Sequence, residues 1–275
     1  MSEGRLRSIL RRGPSDGASD VHAGELPIPP LELRRLVGPT DEADFDNPSG
    51  ELVYPYLDAS LYERFFDFGC GCGRDARQLI QQDPQPQLYV GADLHKGMVR
   101  WCERNLAPHA PQFSFHHHDV GNVTFNPGPH KPPTRRLPGD DATFTLVHAW
   151  SVFTHLTQPQ CEFYLREVAR ILAPGGVFHG TWFLTDKRYF PMMRARQNAL
   201  YINEIDPTNA VIFDREWVQR EIADAGLAIT AAKPPEARGY HWVIQMRLQG
   251  EGVEPIELPP DDASLAPEPV ESDED

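Results

Sequence analysis

The stretch FFDFGCGCGRDARQL, Phe65 to Leu79, sets three glycines at alternate positions directly behind a short apolar run and ahead of a polar, helix-forming one. Gly69, Gly71 and Gly73 admit two readings: a tight turn that brings the backbone against a bulky ligand, or close packing of a helix on a sheet. Either way the stretch reads as a strand that turns into a helix, the start of a βαβ unit.

Working outward, the same alternation recurs. ERFFDFG, QLYVGAD, QFSFHHHD, ATFTLVHAW and VFHGTWFL read as strands, and RDARQLIQQ, KGMVRWCERNL and CEFYLREVARIL as helices. In the last of these Cys161, Leu165, Val168 and Leu172 recur at helical spacing, and Pro174, Gly175 and Gly176 end it. Strands separated by helices of this length predict an α/β fold: a Rossmann-like, mostly parallel sheet with helices on both faces.

Composition bounds the rest. A chain of 275 residues, 40% hydrophobic and 10% aromatic, buries a full core as one domain. It holds no apolar run long enough to span a membrane, and its N-terminus has too short an apolar cluster for a secretory signal, so a cytoplasmic protein is expected. The net charge is −14, but the last 25 residues carry ten acidic side chains and no basic one, which leaves −4 for the remainder. The expected organisation is a disordered segment over 1–24, a folded domain over 25–250 and an acidic, proline-rich disordered tail over 251–275. No basic footprint for nucleic acid is present. The four cysteines, Cys70, Cys72, Cys102 and Cys161, have no paired spacing and suit reduced thiols rather than a disulfide framework or a zinc site.

In an open parallel sheet, ligands bind beyond the carboxyl ends of the strands, beside the first strand-to-helix turn. There the free N–H groups of the helix starting at Arg74 point into the crevice. Asp93, closing the second strand in VGADLH, stands twenty residues past Gly73, where a carboxylate accepts from ribose hydroxyls. The glycines do not choose the cofactor, since Gly71, Gly73 and Ala76 also satisfy the G-x-G-x-x-A of a dinucleotide site.

FDFGCGCGR, Asp93, Asp119 in FHHHDV, VHAWSVFTHL and ILAPGG, in that order, resemble a class I methyltransferase using S-adenosylmethionine. The finer resemblance, carried by GCGCGR, SVFTHL and FHHHDVGNVTFNPG with Asp119, Asn122, Asn126 and Pro127, is to bacterial methyltransferases often found beside glycosyltransferases. The chain departs from that pattern in Thr145, where an aspartate is common, and in the long loop GPHKPPTRRLPGDD. The resemblance implies a seven-stranded sheet whose last strand is antiparallel, with AGLAITAAK and GYHWVIQMRL at that edge. It also implies cofactor contacts from Asp67 at the methionine end, Gly69, Cys70, Gly71 and Gly73 along it, Asp93 on the ribose, Asp119 near the adenine amino group, Leu94 and Val120 flanking the ring, and His148 beside them.

A hydroxyl acceptor needs a base, and histidine suits that role at neutral pH. His155 is the first candidate, followed by His148 and His179, all near the carboxyl ends of the central strands. His116, His117 and His118 raise the alternative of a metal, with His116 and His118 on one face and Asp119 at the strand end as a third ligand; the expectation is a partly exposed strand end and no metal. Trp150, Phe153, Trp182, Phe183, Tyr189, Phe190 and Tyr201 gather where acceptors bind in such folds. TDKRYFPMMRARQNALYINEID reads as a lid whose Lys187, Arg188, Arg194 and Arg196 suit an acidic acceptor or a solvated face.

The expected activity is O-methylation of a small molecule, foremost a saccharide or glycoside, by a protein that is a monomer or an oligomer. N- or C-methylation of a lipid or secondary metabolite, an inactive adenosyl-binding scaffold and, more remotely, an NAD enzyme are the alternatives.

Overall fold

β1 (Arg64–Phe68) lies in the middle of a nine-stranded sheet because its side chains are apolar on both faces, as a strand covered twice must be. The computed structural model describes residues 26–203, 205–236 and 239–261; the segment 1–24 expected to be disordered lies outside them. β1 pairs in parallel with β2 (Leu88–Asp93) and β4 (Phe144–Ala149), and β2 pairs with β3 (Phe113–His117). β5 (Leu172–Thr185) runs parallel to β4, with a register break where Pro174 to Gly176 bulge out.

β9 (Trp242–Leu248) pairs antiparallel with β5, and β8 (Leu227–Lys233) pairs antiparallel with β9. The path β3-β2-β1-β4-β5-β9-β8 is thus the expected seven-stranded sheet with an antiparallel last strand. A hairpin of β6 (Ala199–Tyr201) and β7 (Val211–Asp214) adds two strands at the far end of β5. It lies in and after the segment read as a lid, where short strands interrupted by turns carry no periodic signal.

Strand alternation sends Phe65, Tyr89 and Leu146 to one face, and Phe66, Val90 and Val147 to the other. The first face is covered by α2 (Arg74–Gln81) and α3 (Lys96–Asn105) through Leu79, Val99 and Cys102, and by residues 52–62. The second is covered by α4 (Gln158–Ile171) and α5 (Arg215–Asp224) through Leu165, Val168, Val218 and Ile222. α4 starts on a capping box in which Thr157 and Gln160 bond reciprocally. A short helix α1 (Leu31–Val37) packs Leu33 and Val37 beside Met98.

The first residues of the stretch expected to be a solvating tail pack on this body. Ile256 N–H donates to the Ile229 carbonyl at 2.8 Å, and Leu258 is 2% exposed in the α4–α5 core. Asp261 accepts from the Thr185 hydroxyl at 3.2 Å. Leu258 explains the difference: an apolar side chain within an acidic run buries, and it brings the neighbouring chain, with the buried Asp261, onto the body. Residues 262–275 lie outside the described residues.

Candidate cofactor and acceptor site

A cavity of about 500 Å³, the size of a small-molecule site, opens at the carboxyl ends of β1, β2 and β4. Its floor is the glycine turn. Gly69, Gly71 and Gly73 all take positive φ (86°, 53° and 81°), conformations that side chains resist. The turn is tied to β2 by the N–H groups of Gly69 and Cys70, which donate to the Ala92 carbonyl at 2.7 and 3.2 Å. Gly69 and Gly71 line the cavity, whereas Gly73 lies behind it. A Cβ at Gly73 would stand 2.5 Å from Leu106 Cδ1 and 2.9 Å from Cys102 Sγ, so that glycine lets α3 pack close. Gly73 thus serves helix packing, while Gly69 and Gly71 put backbone on the cavity surface.

Asp93 lines the cavity and accepts the N–H of Gly71 at 2.9 Å and of His95 at 2.7 Å. Each carboxylate oxygen retains a further lone pair for a ligand hydroxyl. Asp67, 3% exposed, accepts the Tyr89 hydroxyl at 2.6 Å and has no ion pair among the described residues. Burial, and after it the nearby carboxylate of Asp75, push its pKa up to about 7. Two carboxylates without an ion-pair partner among the described residues, Asp67 buried and Asp93 half-buried, an apolar slot formed by Leu94, Val120 and Phe125, and a glycine floor fit a ligand that joins a cation, a ribose and a flat ring.

Cys70 and Cys72 also line the cavity; burial pushes both thiols up, Cys72 to about 12, so they act as small packing groups. Asp119 does not line it. Its carboxylate turns to Lys131 Nζ at 2.7 Å and Asn126 Nδ2 at 3.0 Å, which hold its pKa down to about 2. Val120 and Gly121, past the end of β3, stand on the wall instead.

Of the three histidines read as bases, the structure brings His155 to the cavity and not the other two. The Nδ1 of His155 faces the carbonyl of Thr208 at 2.9 Å, so Nδ1 carries the hydrogen and Nε2 is the free nitrogen of the neutral ring. His148 and His179 are 0% exposed. They are register partners on β4 and β5 and point to the face roofed by Tyr54 and Tyr56, which corrects both their catalytic reading and the cofactor contact expected of His148.

The histidine run likewise splits. His116 is exposed and His117 half-buried. His118 is buried on the cavity wall with Nε2 at 2.8 Å from the Tyr164 hydroxyl, and burial lowers its pKa to about 4. Among the described residues no group of three or more His, Cys, Asp or Glu is placed to hold a metal ion.

Sequence reasoning missed several wall residues. Arg74 and Asp75 at the start of α2 line the cavity, with Arg74 Nε donating to Asp75 Oδ1 at 3.1 Å. Ser151 lines it with φ +56°, uncommon for a residue with a side chain, and stands 3.3 Å from His241 Nε2 at the start of β9. The positive φ of Ser151 leaves no mark in the sequence, and His241 arrives from a distant strand. Arg74 and Asp75 were legible in principle, since the first turn of that helix was already assigned to the crevice.

Residues 65–176 match the family model described as a methyltransferase domain. A curated relative, the fatty-acid O-methyltransferase of Mycolicibacterium smegmatis, is 29% identical over 175 residues, 62% of this chain and 55% of the relative. The chain thus spans about half the length of that relative. Among solved structures, an S-adenosylmethionine-dependent methyltransferase of Mesorhizobium loti is 16% identical with a TM-score of 0.47, covering 70% of this chain and 93% of that one. A second, from Methanosarcina mazei, is 17% identical with a TM-score of 0.46, covering 72% and 98%. No helix of the described residues is long and apolar enough to cross a membrane. Residues 65–176 thus match a methyltransferase domain within a Rossmann-like sheet, and the cofactor of such a domain is S-adenosyl-L-methionine.

Proposed function

We propose that the protein transfers the methyl group of S-adenosylmethionine to an oxygen of a small acceptor with an apolar body. The observation that carries this reading is a single cavity in which the uncompensated carboxylates Asp67 and Asp93 flank the glycine turn while His155 stands on the same wall. When bound, the cofactor supplies an electrophilic methyl group on a cationic sulfur. Asp67 is suited to the cationic methionine end, Asp93 to ribose hydroxyls, and Leu94 and Val120 to the adenine faces. His155, holding its hydrogen on Nδ1, is suited to take the acceptor's proton on Nε2 as the oxygen attacks. Exclusion of water and in-line positioning supply the rest of the rate.

Leu36, Val37, Met98, Phe125 and Leu156 on the wall favour an acyl or similarly apolar acceptor, in line with the name of the curated relative. The saccharide expected from the sequence has support only from the Trp150 ring on the same wall. Calorimetric titration with S-adenosylmethionine, S-adenosylhomocysteine and NAD, followed by a methyl-label screen of fatty acids, hydroxylated lipids and glycosides, tests the reading. Binding of both adenosyl ligands without NAD and labelling of an apolar oxygen acceptor are expected; NAD binding alone would overturn it.

A further inference from the structure

A row of polar side chains runs from the cavity to the surface through an otherwise apolar layer. Asp75, on the cavity wall, accepts the Tyr54 hydroxyl on Oδ2 at 2.5 Å. The same oxygen lies 3.2 Å from His148 Nε2, which is 2.8 Å from the Tyr54 oxygen. His148 and His179 then face each other, Nδ1 to Nδ1, at 2.9 Å. His179 Nε2 is 3.0 Å from the hydroxyl of Tyr56, a residue 58% exposed.

Two ring nitrogens in hydrogen-bond contact hold one hydrogen between them. Because Tyr54 gives its hydrogen to Asp75, His148 Nε2 meets two acceptors and must carry a hydrogen of its own. Two states remain. With His148 doubly protonated, its Nδ1–H donates to His179, and His179 Nε2–H donates to Tyr56. With His148 neutral, His179 Nδ1–H donates to His148, and the Tyr56 hydroxyl donates to His179 Nε2. The states differ by one proton, keep every contact, and interconvert without either ring turning.

We propose that Asp75, His148, His179 and Tyr56 form a charge-compensating proton relay, which releases one proton to solvent when the sulfonium form of the cofactor occupies the cavity and regains it with the neutral thioether product. The inference rests on the reading of the cavity as an S-adenosylmethionine site. On release, the His148 Nδ1 hydrogen passes to His179 Nδ1, the His179 Nε2 hydrogen passes to the Tyr56 oxygen, and the Tyr56 hydrogen passes to water. On product formation the same hops run in reverse, so the row resets each cycle.

Charge counting supports this. The charged groups around the Asp75–His148 pair include Arg74 of α2 and Asp67 of β1, and the rings of Tyr54, Phe65, Trp150 and His179 pack against His148. With Asp67 ionised, the two carboxylates and one guanidinium leave one negative charge, which either a proton on His148 or a cation in the cavity cancels. Burial, with His148 next to it, holds His179 down to about 3, which keeps it neutral as the middle of a relay should be.

The test is calorimetric titration of the full chain at neutral pH with S-adenosylmethionine and with S-adenosylhomocysteine, each in two buffers of different ionisation enthalpy. The sulfonium ligand should release about one proton more than the thioether. His179→Gln should remove most of that difference, because the ligands' own amines, and Asp67, are unchanged in the variant. As a readout without mutation, ¹⁵N spectra of the histidine rings should show one buried imidazole losing a proton with the first ligand only. Equal proton release by both ligands, or a difference that survives in His179→Gln, would overturn the relay alone. Failure to bind either ligand would overturn the reading of the cavity and the relay with it.

Discussion

Asp93 Oδ2 accepts the backbone N–H of Gly71 at 2.9 Å, so the carboxylate at the end of β2 also holds the glycine turn at the end of β1. The proposed ribose contact and the shape of the cavity floor thereby depend on one side chain. Asp93→Ala should weaken S-adenosylmethionine binding by about 10–100-fold, the worth of a charge-assisted hydrogen bond or two. Unchanged affinity by calorimetry would remove Asp93 from the ribose.

Gly73 and Gly175 share a positive φ, of 81° and 79°, but differ in surroundings. A Cβ at Gly175 meets nothing within 4 Å, whereas one at Gly73 runs into Leu106 and Cys102. Gly175→Ala should therefore cost about 1 kcal/mol for the conformation alone, and Gly73→Ala about 2–3 kcal/mol, the excess coming from overpacking. Equal losses in denaturant unfolding would mean that α3 yields freely.

His155 separates two classes of acceptor. An alcohol must lose its proton as it attacks, whereas a carboxylic acid is already ionised at neutral pH. With an alcohol acceptor, His155→Ala should lower kcat by about 100-fold or more with S-adenosylmethionine affinity retained. With a fatty acid the loss should stay within a few-fold, so the ratio of the two effects names the acceptor; a near-normal rate with an alcohol would assign the ring a structural role.

The parts legible in the sequence are those fixed by local pattern. The apolar run of Phe65 to Phe68, the glycines and the position of Asp93 locate the crevice because strand, turn and helix follow one another within thirty residues. The parts that failed depend on which way a residue faces. His148 falls on the same face as Leu146, under Tyr54, and that roof comes from a stretch ninety residues away. Asp119 lies at a strand end where one residue decides between wall and exterior, and Lys131 from the long loop captures it. Parity at strand ends and long-range cover carry no signature in composition or spacing.

His118 gives the protein an acid sensitivity of defined sign. Burial lowers its pKa from 6.5 to about 4, so the unfolded chain binds its proton first as pH falls. The contribution is absent above about pH 6.5, and stability is lost progressively from there down to about pH 4, by roughly 3 kcal/mol at most. His118→Gln keeps a hydrogen-bonding group near Tyr164 and should flatten the stability profile across that window. An unaltered slope in pH-dependent denaturation would place the titration elsewhere.

The C-terminal stretch offers a sharper test of where the domain ends. Leu258 is 2% exposed in the α4–α5 core, its N–H donates to Gln219 Oε1 at 2.8 Å, and its carbonyl accepts from Arg215 Nη1 at 2.9 Å. Arg215 also donates to Asp186 at 2.6 Å, which links this strap to the segment after β5. Leu258→Ala should cost about 2–4 kcal/mol, as for other buried leucines, and deletion of 251–275 should cost at least as much. Deletion of 262–275 should leave the thermal midpoint unchanged, since every contact named for the strap lies before it. A shorter deletion that destabilises as much as the longer one would shift the anchoring role to the last fourteen residues.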